Sequence, residues 1–357
     1  QTFVALTVAD DGVHMAGIAG VLGAQSHTNG NGHNMLYDYY FNLPSSVTYP
    51  QYPANNVRYW YGEAGAQDNT VGRIALMADG SGWQTFKYGK LGEVTENIRT
   101  FALPFESNPY TFRMKYKYDS FNRIQQMTYP DGEVVHYGYN LGGMLYSIEG
   151  DKGGQAYMYV KHIAYNKYEL KESVLYGNGS FTTYDYDNLM RLAHLQSFTG
   201  AAAEQMQDIT YDYDAVSNIT HIGNQATMLG CGLGGTYESS YTYDNLYRLS
   251  SAGGNWDNGI LTNTYGLSMS YYPNGRIAQK QLQADVLDHL GNITTKDYDN
   301  LYSYPSGRNT LEQVEDQTDG SLLNTFEWDH AGNMTSQRFH DECTRRLCWD
   351  EENRLAG

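Results

Sequence analysis

The chain has 357 residues, a formal net charge of −17 and a pI near 4.9, which excludes a surface built for nucleic-acid phosphates and favours solubility or a cationic partner. Tyrosine outnumbers phenylalanine 34 to 11 and tryptophan 34 to 5, and a ring with an apolar body and a polar tip suits a sheet wetted on at least one face better than a thick apolar core. The 3 cysteines, Cys231, Cys343 and Cys348, give no paired disulfide framework and no metal-type spacing.

Residues 1–36 show no repeat, and the apolar, Gly-rich stretch Val13–Gly23 is too short to span a membrane. From Tyr37 onward one pattern recurs: an aromatic pair spaced by one residue, then Asp or Asn, a short turn, and Arg or Asn followed by an aliphatic residue. Loose copies come first, at Tyr37-Asp-Tyr39, Tyr59-Trp-Tyr61 and Phe86-Lys-Tyr88. A clear copy follows at Tyr116-Lys-Tyr118-Asp119 with Asn122-Arg123-Ile124. Tyr137-Gly-Tyr139-Asn140 and Tyr165-Asn166 with Leu170 lead to Tyr184-Asp-Tyr186-Asp187 with Arg191-Leu192. Next are Tyr211-Asp-Tyr213-Asp214 with Asn218-Ile219, and Tyr241-Thr-Tyr243-Asp244 with Arg248-Leu249. Tyr271-Tyr272 with Arg276-Ile277 and Tyr298-Asp299 precede the last two copies. These are Phe326-Glu-Trp328-Asp329 with Asn333-Met334, and Cys348-Trp349-Asp350 with Arg354-Leu355. Taking Tyr272 and Tyr298 as anchors of their units, the period averages about 26 residues, the signature of a solenoid, propeller or array.

Two aromatics one residue apart lie on the same face of a strand, because strand side chains alternate. Asp or Asn after the second ring forms a turn through its own side chain, and the aliphatic residue opens the return strand. Each unit therefore reads as a β-hairpin, with further turns between units such as Tyr129-Pro130-Asp131-Gly132 and Gly177-Asn178-Gly179. The fold class is all-β. About 26 strands at roughly 4.8 Å make a ribbon on the order of 125 Å wide. A twisted sheet of that width curls, and closed once it encloses roughly 40 Å, a hollow cage or spiral shell rather than a packed barrel. The anchor aromatics are expected to stack between adjacent units. Ala201–Asp208 and Leu282–Leu290 carry spacing that a short helix would also satisfy.

Asp119/Arg123, Asp187/Arg191, Asp244/Arg248 and Asp350/Arg354 each stand four apart across a turn. They read as structural clamps, since an active site is needed once and this pair recurs. With Tyr118, Tyr186, Tyr213, Asp214, Tyr243, Trp328, Asp329 and Trp349 they form the anchor set of the repeats. His27 with His33, and His340 with Asp341, Glu342 and Cys343, are the histidine clusters closest to a metal set, but neither has a ligand frame. Gly230–Gly235 lacks the Lys-Ser/Thr ending of a phosphate loop. Trp83, Trp256, Trp328 and Trp349 are the rings a carbohydrate-binding surface would use.

These repeats resemble the RHS/YD-repeat family. The copies at Tyr186-Asp187 to Leu192, Tyr243-Asp244 to Leu249 and Trp328-Asp329 to Met334 are near its consensus, as is the Tyr129-Pro-Asp-Gly turn. The resemblance runs over residues 37–357, and 1–36 stand apart as an N-terminal segment. It implies a β-cage that encloses a C-terminal toxin or effector, with a secretion-machinery component as a further partner and delivery outside a bacterial cell. The alternative it implies is a teneurin-like cell-surface module that binds carbohydrate or protein. The chain ends within a repeat and carries no recognisable self-cleavage motif, so the expectation is a non-catalytic portion of shell. No cofactor, metal or nucleic acid is expected.

Overall fold

The computed structural model describes residues 6–10, 13–17, 24–103, 106, 108–200, 204–230, 234–257, 262–287, 292–341 and 343–356. Among them are 29 strands and one 3-10 turn, Pro53–Asn55. Along the chain each strand pairs antiparallel with the next, from Leu6–Asp10 through to Thr344–Arg346, so the sheet is one continuous meandering ribbon. One place departs from this order, where Ile277–Leu287 pairs with both Ile293–Thr295 and Tyr298–Ser303. The segment without repeats supplies three strands, Leu6–Asp10, Val13–Gly17 and Ala24–Thr28, to the same ribbon. Neither short helix forms. Gln205–Tyr213 and Ile277–Leu287 are strands, because partners on both sides supply backbone bonds that outweigh a weak local preference. Residues 201–203 and 288–290 lie outside the described ones.

The ribbon is thin. Its accessible surface is 22481 Å² for 40.2 kDa, against roughly 14,500 Å² for a compact globule of that mass. A wall with two wetted faces accounts for the excess. Its one compact cluster, among the described residues, is Met35, Val47 and Tyr49 packed by Tyr37, Val57 and Tyr59. Elsewhere single buried residues lie under the rings, such as Ile163 two positions before Tyr165 and Ile209 two before Tyr211. Period-two alternation puts them on the anchor face.

The pairing register slips by one residue immediately before Tyr61, Tyr88, Tyr118, Tyr139, Tyr165, Tyr186, Tyr213, Tyr243, Tyr271 and Trp328. Each slip leaves an extra residue on the return strand, a β-bulge that bends the strand and increases twist. Repeating the bulge at the same end of successive hairpins is a device for curling the ribbon.

From Tyr88 onward the turn after the anchor is a three-residue loop with a left-handed fourth position, except after Tyr304; the connection after Tyr61 is longer and closes between Gly62 and Arg73. At Asp187 the N–H donates to Arg191 O at 2.9 Å, and Met190 N–H donates to Asp187 O at 2.9 Å. The fourth residue has φ near 60°: Asn122 61°, Met190 63°, Tyr247 61° and Asn353 61°. A side chain there costs about 1–2 kcal/mol, least for Asn, whose amide bonds locally. Met190→Asn is therefore expected to stabilise the chain by about 0.5–1 kcal/mol, measured by urea unfolding. An unchanged or lowered midpoint would count against the strain at this turn.

Candidate functional site in the turn rim and closing seam

Two rims bound the ribbon. One carries the turns that follow the anchor aromatics, here called clamp turns, and the other carries the turns between units, the back turns. In every Asp-headed clamp turn the carboxylate is saturated in the same way. Asp187 Oδ1 accepts the N–H of Leu189 at 2.8 Å and of Arg191 at 2.9 Å, while Oδ2 takes Arg191 Nε at 2.7 Å. The Nε–Oδ2 distance is 2.7 Å in the turns of Asp119, Asp244 and Asp350 as well. Asn replaces Arg without changing the plan: Asn218 Nδ2 donates to Asp214 Oδ2 at 2.8 Å and Asn333 Nδ2 to Asp329 Oδ2 at 3.0 Å.

The arginine also reaches the next unit. Arg191 Nη1 donates to Asp214 O and to Ser217 Oγ, both at 3.1 Å, and its guanidinium lies 4.4 Å from the centre of the Tyr213 ring. Arg248 stands 4.4 Å over Tyr271 and Arg123 4.2 Å over Tyr139. The rings do not stack on one another between units as expected. Equivalent anchor rings are two strands, roughly 10 Å, apart, beyond ring–ring contact, and at these units a guanidinium fills the gap, whereas the turns before Tyr118, Tyr165, Tyr186 and Tyr243 carry no arginine at that position. One ring contact does join neighbouring units, Tyr272 edge-on to Tyr304 at 5.9 Å.

Each anchor also ties back to the unit before it. Tyr118 donates to Val94 O at 2.8 Å, Tyr186 to Lys171 O at 2.9 Å, Tyr213 to Leu192 O at 2.7 Å and Tyr243 to Ile219 O at 2.7 Å. Indole N–H groups serve at Trp328, to Leu311 O at 2.6 Å, and at Trp349, to Met334 O at 2.7 Å. Two anchors differ from the reading of the sequence. Tyr271, not Tyr272, bonds back to Leu249 O, and Tyr272 occupies the first turn position. In the following unit Arg276 lies 4.6 Å over Tyr304, whereas Tyr298 opens the strand far from the turn.

The ribbon meets itself at a seam. Clamp turns 329–333 and 350–354 sit on back turns 29–33 and 49–56, about 300 residues earlier. Asn31 Nδ2 donates to Asp329 Oδ2 at 2.8 Å, and Ala331 N–H donates to Asn31 Oδ1 at 3.2 Å. Asn29 Nδ2 donates to Glu351 O at 2.9 Å, and Asn55 Nδ2 to the Glu351 carboxylate at 3.2 and 3.3 Å. Glu351 is 1% exposed. The Tyr49 phenol donates to Glu352, and burial together with that bond raises its pKa well above the ordinary value. A Cβ on Gly30 would lie 2.5 Å from His330 O and 2.8 Å from Ala331 Cα, so only glycine admits this approach. None of the back-turn residues was distinguishable in the sequence, since the back turns carry no fixed motif.

Other sequence candidates assemble no site. His33 lies edge-on to Tyr52 at 5.3 Å, Asp341 caps the Cys343 N–H at 3.1 Å, and Glu342 and residues 231–233 lie outside the described ones. Among the described residues no group of three or more His, Cys, Asp or Glu is placed to hold a metal ion, and no helix is long and apolar enough to cross a membrane. Trp328 and Trp349 belong to the wall. Trp83 and Trp256, each 42% exposed, fall on opposite faces by their registers with Thr100 and Tyr237, so they share no platform.

Three expectations follow. We propose that the Asp-headed turns are clamps. Asp187→Ala then lowers the thermal midpoint, and Asp187→Asn lowers it less, because an amide oxygen keeps the two N–H bonds, as Asn166 does with Tyr168 and Leu170. Equal midpoints for both variants and the parent would refute the clamp. The second expectation concerns acid. The Asp187 carboxyl is held below 3.8 by the Arg191 N–H, against burial, with the Arg191 guanidinium adding to the effect. Asp244 is held down by the Arg248 guanidinium, again against burial. Groups depressed in the folded state contribute stability that is fully present above their unfolded pKa, near 4, and is lost as pH falls through the folded values. Melts are expected to hold steady from pH 7 to 5 and to fall steeply below about pH 4, with a shallower fall in Asp187→Ala/Asp244→Ala. The third concerns the seam: Gly30→Val costs about 1–3 kcal/mol of overpacking and raises the radius of gyration in X-ray scattering. An unchanged radius would mean the seam does not hold the curl.

A family model described as Teneurin YD-shell matches residues 72–356. The chain is 30% identical over 189 residues to toxin subunit YenC1 of Yersinia entomophaga, covering 51% of this chain and 18% of that protein. It is 36% identical over 110 residues to toxin subunit YenC2 of the same organism, covering 29% and 11%. The chain thus spans less than a fifth of the length of these relatives. A crystal structure of TcdB2-TccC3 superposes with a TM-score of 0.71 at 16% identity over 93% of this chain and 19% of that one. A Photorhabdus luminescens Tc holotoxin pore gives 0.66 at 16% identity over the same shares, a likeness of fold. With the family match running over most of the ribbon and its repeats, the chain belongs to the Teneurin YD-shell family.

Proposed function

We propose that this chain is a stretch of wall in a toxin-associated shell that encloses a C-terminal toxin or effector polypeptide, is delivered outside a bacterial cell and performs no chemistry of its own. The observation that carries the reading is the seam, which supports one closed course of wall. Between the turns that meet there lie 24 of its strands, from Asn34–Tyr40 to Leu322–Trp328, which at roughly 4.8 Å give a perimeter on the order of 115 Å and a width of about 37 Å. That is room for a polypeptide and far more than side chains fill. The relatives named as toxin subunits support the toxin association. A toxin polypeptide inside such a wall would be shielded from solvent and from proteases until the wall opens. Recurrence of one motif supports a scaffold rather than an active centre.

Limited proteolysis of the longest native polypeptide containing this segment tests the enclosure. The region C-terminal to the wall is expected to resist digestion and to become sensitive in the Gly30→Val seam variant. Digestion at the same rate in both, with the wall itself intact, would overturn enclosure.

A further inference from the structure

The seam is held by amides on one side and acidic residues on the other. Asn29, Asn31 and Asn55 donate from the back turns, while Asp329 and Glu351 accept on the clamp turns. An amide there that lost its nitrogen would become a carboxylate, an acceptor carrying the same charge as the acid it faces. The sequence makes that loss easiest at Asn31, because Gly32 follows it and is exposed. A glycine has no Cβ to crowd the approach of its own nitrogen to the preceding side chain. Asn29, which Gly30 follows, is buried away from the water such a reaction consumes.

Three Asn-Gly steps occupy the same place in their turns: Asn31-Gly32, Asn178-Gly179 and Asn274-Gly275. In each the glycine is the left-handed fourth position, with φ of 80°, 88° and 89°. Its N–H donates to the carbonyl of the residue heading the turn, at 2.9, 3.0 and 2.9 Å. The asparagine side chains differ. Asn178 Oδ1 accepts the Ser180 N–H at 3.0 Å and its hydroxyl at 2.7 Å, within the turn. Asn274 Oδ1 accepts the N–H and Nε–H of Arg276 at 3.4 and 3.1 Å, again within the turn. Asn31 is held from across the seam at both ends, Nδ2 donating to Asp329 Oδ2 at 2.8 Å and Oδ1 accepting the Ala331 N–H at 3.2 Å. Its Cγ reaches the Gly32 nitrogen only when both bonds break, which is when the seam opens.

We propose that Asn31 is a site of spontaneous deamidation, masked while the seam is shut, and that the reaction makes opening of the wall one-way. The Gly32 nitrogen, having given its proton to solvent, bonds to Asn31 Cγ. The Cγ–Nδ2 bond then breaks, and the nitrogen takes up a proton from solvent and leaves as ammonia. Water opens the five-membered imide at one carbonyl or the other, leaving aspartate or isoaspartate. Water is the only co-reactant, and nothing is oxidised or reduced. The product sets a carboxylate where Nδ2 had met Asp329, so like charges oppose reclosure. Isoaspartate also lengthens the backbone of a turn whose fit at Gly30 leaves no room for a Cβ. The proposal goes beyond the enclosure reading, because it concerns the wall itself and holds with or without a cargo.

Peptide mapping by mass spectrometry tests the masking, on the longest native polypeptide containing this segment, held at mildly alkaline pH. Asn31 is expected to convert about tenfold or more slowly than Asn178 and Asn274, in proportion to how rarely the seam opens. In Gly30→Val, and separately in Asp329→Asn, Asn31 is expected to convert as fast as those two reference sites, whose own rates stay unchanged. Equal rates at all three sites in the parent would overturn the masking, as would a slow Asn31 in both variants. Reference sites that accelerate along with Asn31 would mean general unfolding and count against it as well. Amide hydrogen exchange at turns 49–56 and 350–354, the half of the seam away from the substitution, reads the consequence. Asn31→Asp is expected to raise exchange there, and Asn31→Asp/Asp329→Asn to restore protection, since the amide and carboxylate have only traded sides. Unchanged exchange in the single variant, or no recovery in the double, would refute the one-way opening.

Discussion

The wall depends on an arginine that satisfies three demands at once. Arg191 neutralises the carboxylate that shapes its own turn, donates to the backbone of the next turn and covers the face of the next anchor ring. A single exposed ion pair contributes little, roughly 0–1 kcal/mol. Here the pair is partly buried, with side chains 21% and 24% exposed, and the same guanidinium links adjacent units. Stability of a repeat array is close to a sum of unit and neighbour terms. In the units that carry arginine the neighbour term is a guanidinium and a ring on the clamp side, completed by a phenol bonded back to the preceding unit. The Asn copies at 218 and 333 keep the turn but forgo the ring contact, and both occur where another device assists. Arg191 reaches the turn of Asp214 from the previous unit, and the seam covers the turn of Asp329.

A thin wall also explains the tyrosine surplus. With both faces wet there is little depth for phenylalanine. A ring that lays its body on small neighbours and donates its hydroxyl to a carbonyl is satisfied at both ends. The bulge beside each anchor sets the bend, and the seam fixes where the bend closes. Where two rims meet closely, around Gly30 and Glu351, the contacts are made by amide and carboxylate groups.

Much of this was legible in the residues. The aromatic pairs gave the strands, and the Asp or Asn after each gave the turns. The four-residue spacing placed Asp187 and Arg191 in one turn. The ladder was misread although the hairpin reading already put two strands between equivalent rings, too far for them to touch; the arginine that bridges the gap had been assigned only to its own turn. Tyr272 and Tyr298 were misassigned because the units at 271 and 304 lack the Asp that marks the clamp turn. The seam was invisible: Asn29, Gly30, Asn31 and Asn55 are ordinary turn residues whose partners lie about 300 positions away. The two short helical readings failed for the opposite reason, since local spacing was ambiguous and pairing on both sides decided it.

A double-mutant cycle between Arg191→Ala and Tyr213→Leu, read by equilibrium unfolding, tests the coupling between units most directly. A guanidinium held over a partly buried ring is expected to give a coupling of about 0.5–2 kcal/mol beyond the sum of the single changes. Strict additivity would contradict it.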